Sequence, residues 1–419
     1  MTPTLADIAI WVIAGLAAAG VIARPFRLPE AVWAVSGAIL LLALGLLPLS
    51  SAARAVGKGL DVYLFLTGMM LLSETARREG VFDWVAARAV NMAKGSPKRL
   101  FLLIYAVGVA VTTFLSNDAT AVVLTPAVFA AAKKAKATPL PYLLVCAFIA
   151  NAASFVLPIS NPANIVLYGD HTPPLGRWLA SFALPSIASI IATWFALRWT
   201  QDPSLGGACE GDVDQPRLAS GGWAALAGIG LTAIVLTVVS ALDIRLGAPT
   251  LVMGVFTASV VLVRKRTAPW PLLGGVSWAV LPLVAGLFVL VEALGRTGVT
   301  AALGGALKAA SRASETGAAA GAGALLAIVS NFMNNLPAGL IASNVVAQAH
   351  PAQKVIDALL IGVDLGPNLS ITGSLATILW LTAIRREGEE VGFWRFLKVG
   401  ALVAPPALIL ALGARLALG

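Results

Sequence analysis

Residues 151–165 read NAASFVLPISNPANI, and residues 364–378 read DLGPNLSITGSLATI. Each lies inside a long apolar stretch, 141–167 and 355–382 respectively. Pro158, Pro162, Gly366, Pro367 and Gly373 all weaken a helix at these points. Two apolar arms around an unwound, Asn- and Ser-rich centre describe a broken membrane helix. Irregular backbone is tolerated at membrane depth only where protein buries it or a wet cavity faces it.

The composition around these segments agrees. Of 419 residues, 58% are hydrophobic and 12% charged. Mean hydropathy is +0.88. A soluble globular chain has roughly 25% charged residues, so a water-soluble enzyme is excluded, as is a disordered chain. The apolar runs are long and unbroken, as in LLALGLLP, rather than alternating every second residue as in a membrane β-barrel. An all-α polytopic membrane protein is expected.

Spans of about 20 residues fall at 5–23, 31–49, 60–76, 141–167, 178–199, 222–242, 248–263, 276–294, 355–382 and 393–417. With no basic region ahead of it, 5–23 reads as a retained helix, not a cleaved signal. Two further stretches, 100–132 and 317–349, carry polar interruptions, Ser116-Asn117-Asp118 and Asn334-Asn335 before Pro337, and read as re-entrant hairpins. On that basis the basic loops 77–99 and 133–136 share one side of the membrane. Carried along the chain, this parity places 20 of 29 Lys and Arg on the cytoplasmic side of the inner membrane and both termini outside. The +9 net charge then reflects cytoplasmic loops, and no nucleic-acid partner is expected.

The two halves resemble each other. GMMLLSETARREGV (68–81) aligns with GLFVLVEALGRTGV (286–299) at a shift of 218 residues. Asn117 aligns with Asn334 or Asn335 at nearly the same shift, and the two opening segments align at 213. Residues 1–200 and 222–419 therefore read as two repeats of five spans and one hairpin each, joined by a polar linker at 201–221. An odd number of spans inverts the second repeat, the pattern of secondary transporters.

The four interruptions are the candidate site. Asn117 and Thr120, Ser160, Asn161 and Asn164, Asn334 and Asn335, and Asn368, Thr372 and Ser374 offer neutral donors and acceptors to a small polar solute. Asp118 and Asp364 lie within the same interruptions, and a carboxylate inside a membrane marks a proton-coupling candidate. Helix capping is the bland alternative for both. Glu74 and Glu292 each precede an Arg by four residues, Arg78 and Arg296, so local helical ion pairs are expected there. Cys146 reads as a small core residue; Cys209 is distant, and His171 and His350 fall in loops, so no metal or cofactor site is implied.

FLSNDATAVVLTP, NPANI, NNLP and DLGPNLSITGSLATILWL together resemble the arsenical pump membrane protein family, ArsB, of the ion transporter superfamily. The resemblance runs the length of the chain. It implies export of arsenite and antimonite across the cytoplasmic membrane, exchange for protons, and elevator-type alternating access. It also implies that a soluble ArsA-type ATPase can serve as a partner. The chain itself has no GxxxxGK[ST] phosphate loop. Arsenite is a small neutral trihydroxide, and no Lys or Arg falls in the four interruptions. A sodium-coupled carboxylate or sulfate carrier, or a sodium/proton antiporter of the same superfamily, is the alternative. An intramembrane aspartyl protease fits poorly, because Asp364 stands in Gly362-Val363-Asp364-Leu365 rather than GxGD. A channel gives inverted, broken repeats no role.

Overall fold

The computed structural model describes residues 4–169 and 172–418. His171 lies outside the described residues. Every regular element among those described is a helix. Seven helices are long and apolar enough to cross a membrane, nine if two bent pairs each count as one span. Val12, Leu16, Ile187, Phe195, Ile234, Val252, Phe256, Phe332 and Ile409 are exposed along these helices, as a lipid-facing surface requires.

Several expected spans are corrected. The stretch 31–49 keeps only 14 helical residues, Glu30–Ala43. Gly45 turns the chain at φ 68°, and Pro48 starts a separate helix, Leu49–Lys58. That helix meets Leu60–Arg78 at a 48° bend. The basic stretch 77–99 is no simple loop: it contains the helix Val81–Ala93. Likewise Val280–Arg296 bends by 73° into Val299–Ala313. Both of these following helices begin after a left-handed glycine, Gly80 at φ 73° and Gly298 at φ 80°. The bend needs that backbone conformation, which costs glycine little.

The aligned glycines of the two halves do similar work. At Gly68 a Cβ would lie 2.3 Å from the Thr250 carbonyl oxygen, so Leu60–Arg78 and Gly247–Lys265 cross backbone to backbone. At Gly286 it would lie 2.8 Å from the Ala34 carbonyl carbon, where Val280–Arg296 crosses Glu30–Ala43. Small residues permit close approach where lipid offers no hydrophobic drive for helix association.

The two hairpin segments have unequal arms. Pro97–Phe114 and Glu315–Met333 are each long and apolar enough to cross. The chain then reverses at Leu115-Ser116 and at Asn334, and returns through residues 117–134 and Asn335–Ala349. The first return contains a π-helical turn, Thr120–Leu124. The broken segments are Leu140–Ala152 with Pro162–Tyr168, and Gln353–Leu365 with Leu375–Arg386.

Residues 201–219 are tied down rather than free. The Cys209 N–H donates to the Gly95 carbonyl (3.0 Å) and the Glu210 N–H to the Ala135 carbonyl (2.7 Å). Asn91 clasps Val213 by both backbone groups, at 2.9 and 3.0 Å. Lys136 pairs with Glu210 at 2.5 Å, which raises the lysine pKa. Arg198 hydrogen-bonds Asp202 and holds its carboxyl below the usual range. This strap runs over the base of the first hairpin.

Candidate transport site

The reversals and breaks converge. Asn117 and Asp118 from the first hairpin, Asn161 and Pro162 from the first broken segment, Asn335 and Leu336 from the second hairpin, and Leu375 and Ala376 from the second broken segment line one small cavity. Leu66 and Val280 close it from the two bent helices. It has room for about one water molecule, so a larger solute must widen it. No Lys or Arg lines it among the described residues.

Each polar group is placed by local folding. Ser116 caps the first hairpin's return helix, accepting from the Ala119 N–H at 3.1 Å. Asn117 accepts from the Asp118 N–H at 2.9 Å, and both side chains reach the cavity. The Asn161 side chain has two partners. Its Oδ1 caps Pro162–Tyr168, accepting from the Ala163 N–H at 3.0 Å, and its Nδ2 donates to Asp364 Oδ1 at 2.8 Å. Asp364 is fully buried behind it, one layer from the cavity. Asn334 sits at φ 75° and accepts from the Leu336 N–H at 3.3 Å, turning the second hairpin. Asn335 Oδ1 is buried without a partner.

Several other expected ligands make hydrogen bonds within and beside the breaks. Asn164 donates to the carbonyls of Ser154, Leu157 and Pro158, at 2.8–3.3 Å. Ser160 donates to the Thr113 carbonyl at 3.0 Å, and Thr120 bonds Thr112 at 2.8 Å. Asn368 accepts from Asn151 at 3.0 Å and donates to the Phe148 carbonyl at 3.1 Å. Thr372 donates to the Asn331 carbonyl at 3.0 Å, and Ser374 caps Leu375–Arg386. The roles of Asn151 and Asn331 show only in the structure. Asn331 donates to the Gly366 carbonyl at 3.0 Å and accepts from Ser370 at 2.7 Å, joining the second hairpin to the second break.

Two openings flank the cavity. A vestibule of about 580 Å³ is lined by Lys58, Asp61, Val62, Ile165, Tyr168, Glu292, Leu340, Asn344 and His350, among others. Val62, Ile165 and Leu340 are each one helical turn from the cavity residues Leu66, Asn161 and Leu336. An apolar layer about one turn thick, roughly 5 Å, therefore separates vestibule and cavity. At the vestibule rim Glu292 pairs with Lys58 at 3.1 Å, while Arg296 bonds Ser51. This corrects the expected Glu292–Arg296 pair: the bend after Arg296 puts the helix end beside Leu49–Lys58. Glu74 does pair with Arg78 at 2.8 Å, and also with Arg77 at 2.6 Å. Asp118 lies in a narrow crevice with Ser73 and Glu74, which leads toward this basic end.

The chain matches the family described as CitMHS, citrate transporter, over residues 9–363. It belongs to the CitMHS family. Among curated relatives, the arsenical pump membrane protein of Yersinia enterocolitica is 29% identical over 367 residues, 83% of each chain. That of Escherichia coli K12 is 29% identical over 368 residues, again 83% of each. The resemblance read in the sequence therefore holds across most of the chain. Of solved structures, the Alcanivorax borkumensis YdaH transporter aligns at a TM-score of 0.57 with 17% identity, covering 88% of this chain and 86% of that one. Neisseria gonorrhoeae MtrF aligns at 0.54 with 13% identity, covering 91% and 84%. These share the fold. This CitMHS member is a multi-pass membrane protein and a secondary transporter.

Proposed function

We propose that the chain exports arsenite and antimonite across the cytoplasmic membrane in exchange for protons. The observation that carries this reading is the chemistry of the central cavity. Three asparagines and one carboxylate line it, without a cation. A neutral trihydroxide needs hydrogen bonds and no charge clamp. A dianion in the same place would bury charge against no counter-ion. The relatives named as arsenical pumps support the same substrate.

Asp118 serves as the coupling group at the cavity, and Asp364, held by Asn161, as the second. Among the described residues no donor reaches the Asp118 carboxylate, so it is free to take a proton or meet the solute. The two hairpins and two breaks form inverted repeats and move together past the bent helices as an elevator. The recurring glycine crossings and left-handed bends at Gly80 and Gly298 support the repeat. With the basic loops cytoplasmic and both termini outside, the vestibule faces outward, the state that releases an exported solute. An ArsA-type ATPase would be an added partner, not a requirement for exchange.

The family's description names citrate, which favours a second reading: a sodium-coupled carboxylate carrier. One experiment separates them. Everted vesicles are given an imposed pH gradient and either arsenite or citrate. Arsenite accumulates under the gradient alone, with no ATPase present, and Asp118→Asn abolishes the coupling. Sodium-dependent citrate uptake without arsenite movement would overturn the proposal.

A further inference from the structure

Asn161 and Asp364 are one of two contacts between the same pair of helices. Seven residues along the short helix, the Tyr168 hydroxyl donates to Asp357 Oδ1. Going from 161 to 168 on Pro162–Tyr168 matches going back from 364 to 357 on Gln353–Leu365. The contacts are thus two rungs between antiparallel helices, two turns or about 10.5 Å apart. Ile165 and Leu360, at the midpoints, are both buried.

The rungs differ in kind. Asp357 is fully buried and accepts on both oxygens. Gln353 Nε2 reaches its Oδ1 at 2.7 Å and Arg415 Nε its Oδ2 at 2.7 Å. Gln353 also donates to the Tyr168 oxygen at 3.2 Å. Arg415 and Gln353 hold the Asp357 carboxylate in place whether or not Tyr168 is bonded, so this rung always finds its acceptor fixed. Asp364 has only neutral partners, Asn161 at 2.8 Å and the Ser154 hydroxyl, and no cation. Breaking that rung strands no opposite charge. Tyr168 and Gln353 also line the vestibule, so the ion-paired rung stands at its wall and the one without a cation lies deeper.

We propose that Tyr168 and Asp357, braced by Arg415 and Gln353, are positioning residues that fix the register of these two helices. The Asn161–Asp364 contact can then open and close without the broken segments sliding apart. This rests on the transport reading, since it takes Asn161–Asp364 as the working contact. The arrangement also explains an ion pair inside a membrane protein that touches no candidate ligand.

The test uses full-length protein in nanodiscs. Amide hydrogen exchange of residues 153–168 is followed in the wild type, Tyr168→Phe, Asn161→Ala and the double variant. Tyr168→Phe removes one hydroxyl and leaves the fold intact. Either rung alone keeps the segment protected; losing both speeds exchange by about tenfold beyond the product of the single effects, as loss of a hydrogen bond to a charged group would. In reconstituted vesicles Tyr168→Phe lowers the maximal arsenite exchange rate and leaves KM unchanged. Additive exchange effects, or an unchanged double variant, would overturn the proposal, as would a KM that rises in step with the falling rate. If wild-type vesicles move no arsenite, the transport reading fails, while the exchange data still judge the register.

Discussion

Asn161 joins local folding to the site with one side chain. Its carbonyl oxygen caps a helix and its amide nitrogen holds Asp364. An Asp here could cap but could not donate, and an Ala could do neither. This residue was legible because it stands before Pro162, where a helix start is expected. Asn331 and Asp357 were not legible: they sit inside apolar helical runs, and only their partners reveal their roles, while Asn151 opens a quoted stretch but shows its role only through Asn368. The cysteines make a clean test of the ligand chemistry. Cys146 is fully buried in Leu140–Ala152, and Cys209 lies in the strap. Neither lines the central cavity. Replacing both by Ser is expected to leave arsenite KM in vesicles within about twofold, since neither supplies the roughly 1.4 kcal/mol that a tenfold change requires. Loss of arsenite binding by a folded double variant would show that a thiol is a ligand.

The elements divide into those that pattern reveals and those that packing decides. Long apolar helices such as Leu175–Gln201 and Phe393–Ala417 are plain from hydropathy. Val81–Ala93 and Val299–Ala313 are not, because each lies among basic residues that read as loop. Their signal was the Gly-Val pair that begins each, at 80–81 and 298–299. The helix crossings at Gly68 and Gly286 depend on the missing side chain. Gly68→Val and Gly286→Val should each cost about 1–3 kcal/mol by overpacking. The measurement is the unfolding midpoint of detergent-solubilised protein. Gly230→Ala, inside Ser220–Ala241 where a Cβ meets nothing within 4 Å, is the control and should not lower the midpoint, since alanine favours a helix interior.

At the scale of the whole molecule, the vestibule and the basic residues lie at opposite ends of the same helix. Lys58 and Asp61 stand at the bend, where Leu60–Arg78 begins, and Arg77 and Arg78 at the far end of that 19-residue helix, about 28 Å away. Such an arrangement was only partly readable beforehand: loop charges suggest sidedness, but which side stands open is a property of packing. In a chain lacking both cysteines, Ala347→Cys on the vestibule wall should react with a membrane-impermeant maleimide added to intact cells. Ser73→Cys in the narrow crevice should not, and should react in everted vesicles if at all. The opposite pattern would reverse the assigned orientation.

The apolar layer of Val62, Ile165 and Leu340 has an electrical consequence. An open vestibule on one side carries the outer potential inward to that layer. The membrane voltage then falls between that layer and the opposite surface rather than across the full bilayer of about 30 Å. In the proposed exchange, a proton passing between the vestibule and Asp118 crosses that layer and so works against part of a potential worth about 2.3 kcal/mol per 100 mV. Three side chains, one from each of three helices, thereby turn a short step into a voltage-sensing one.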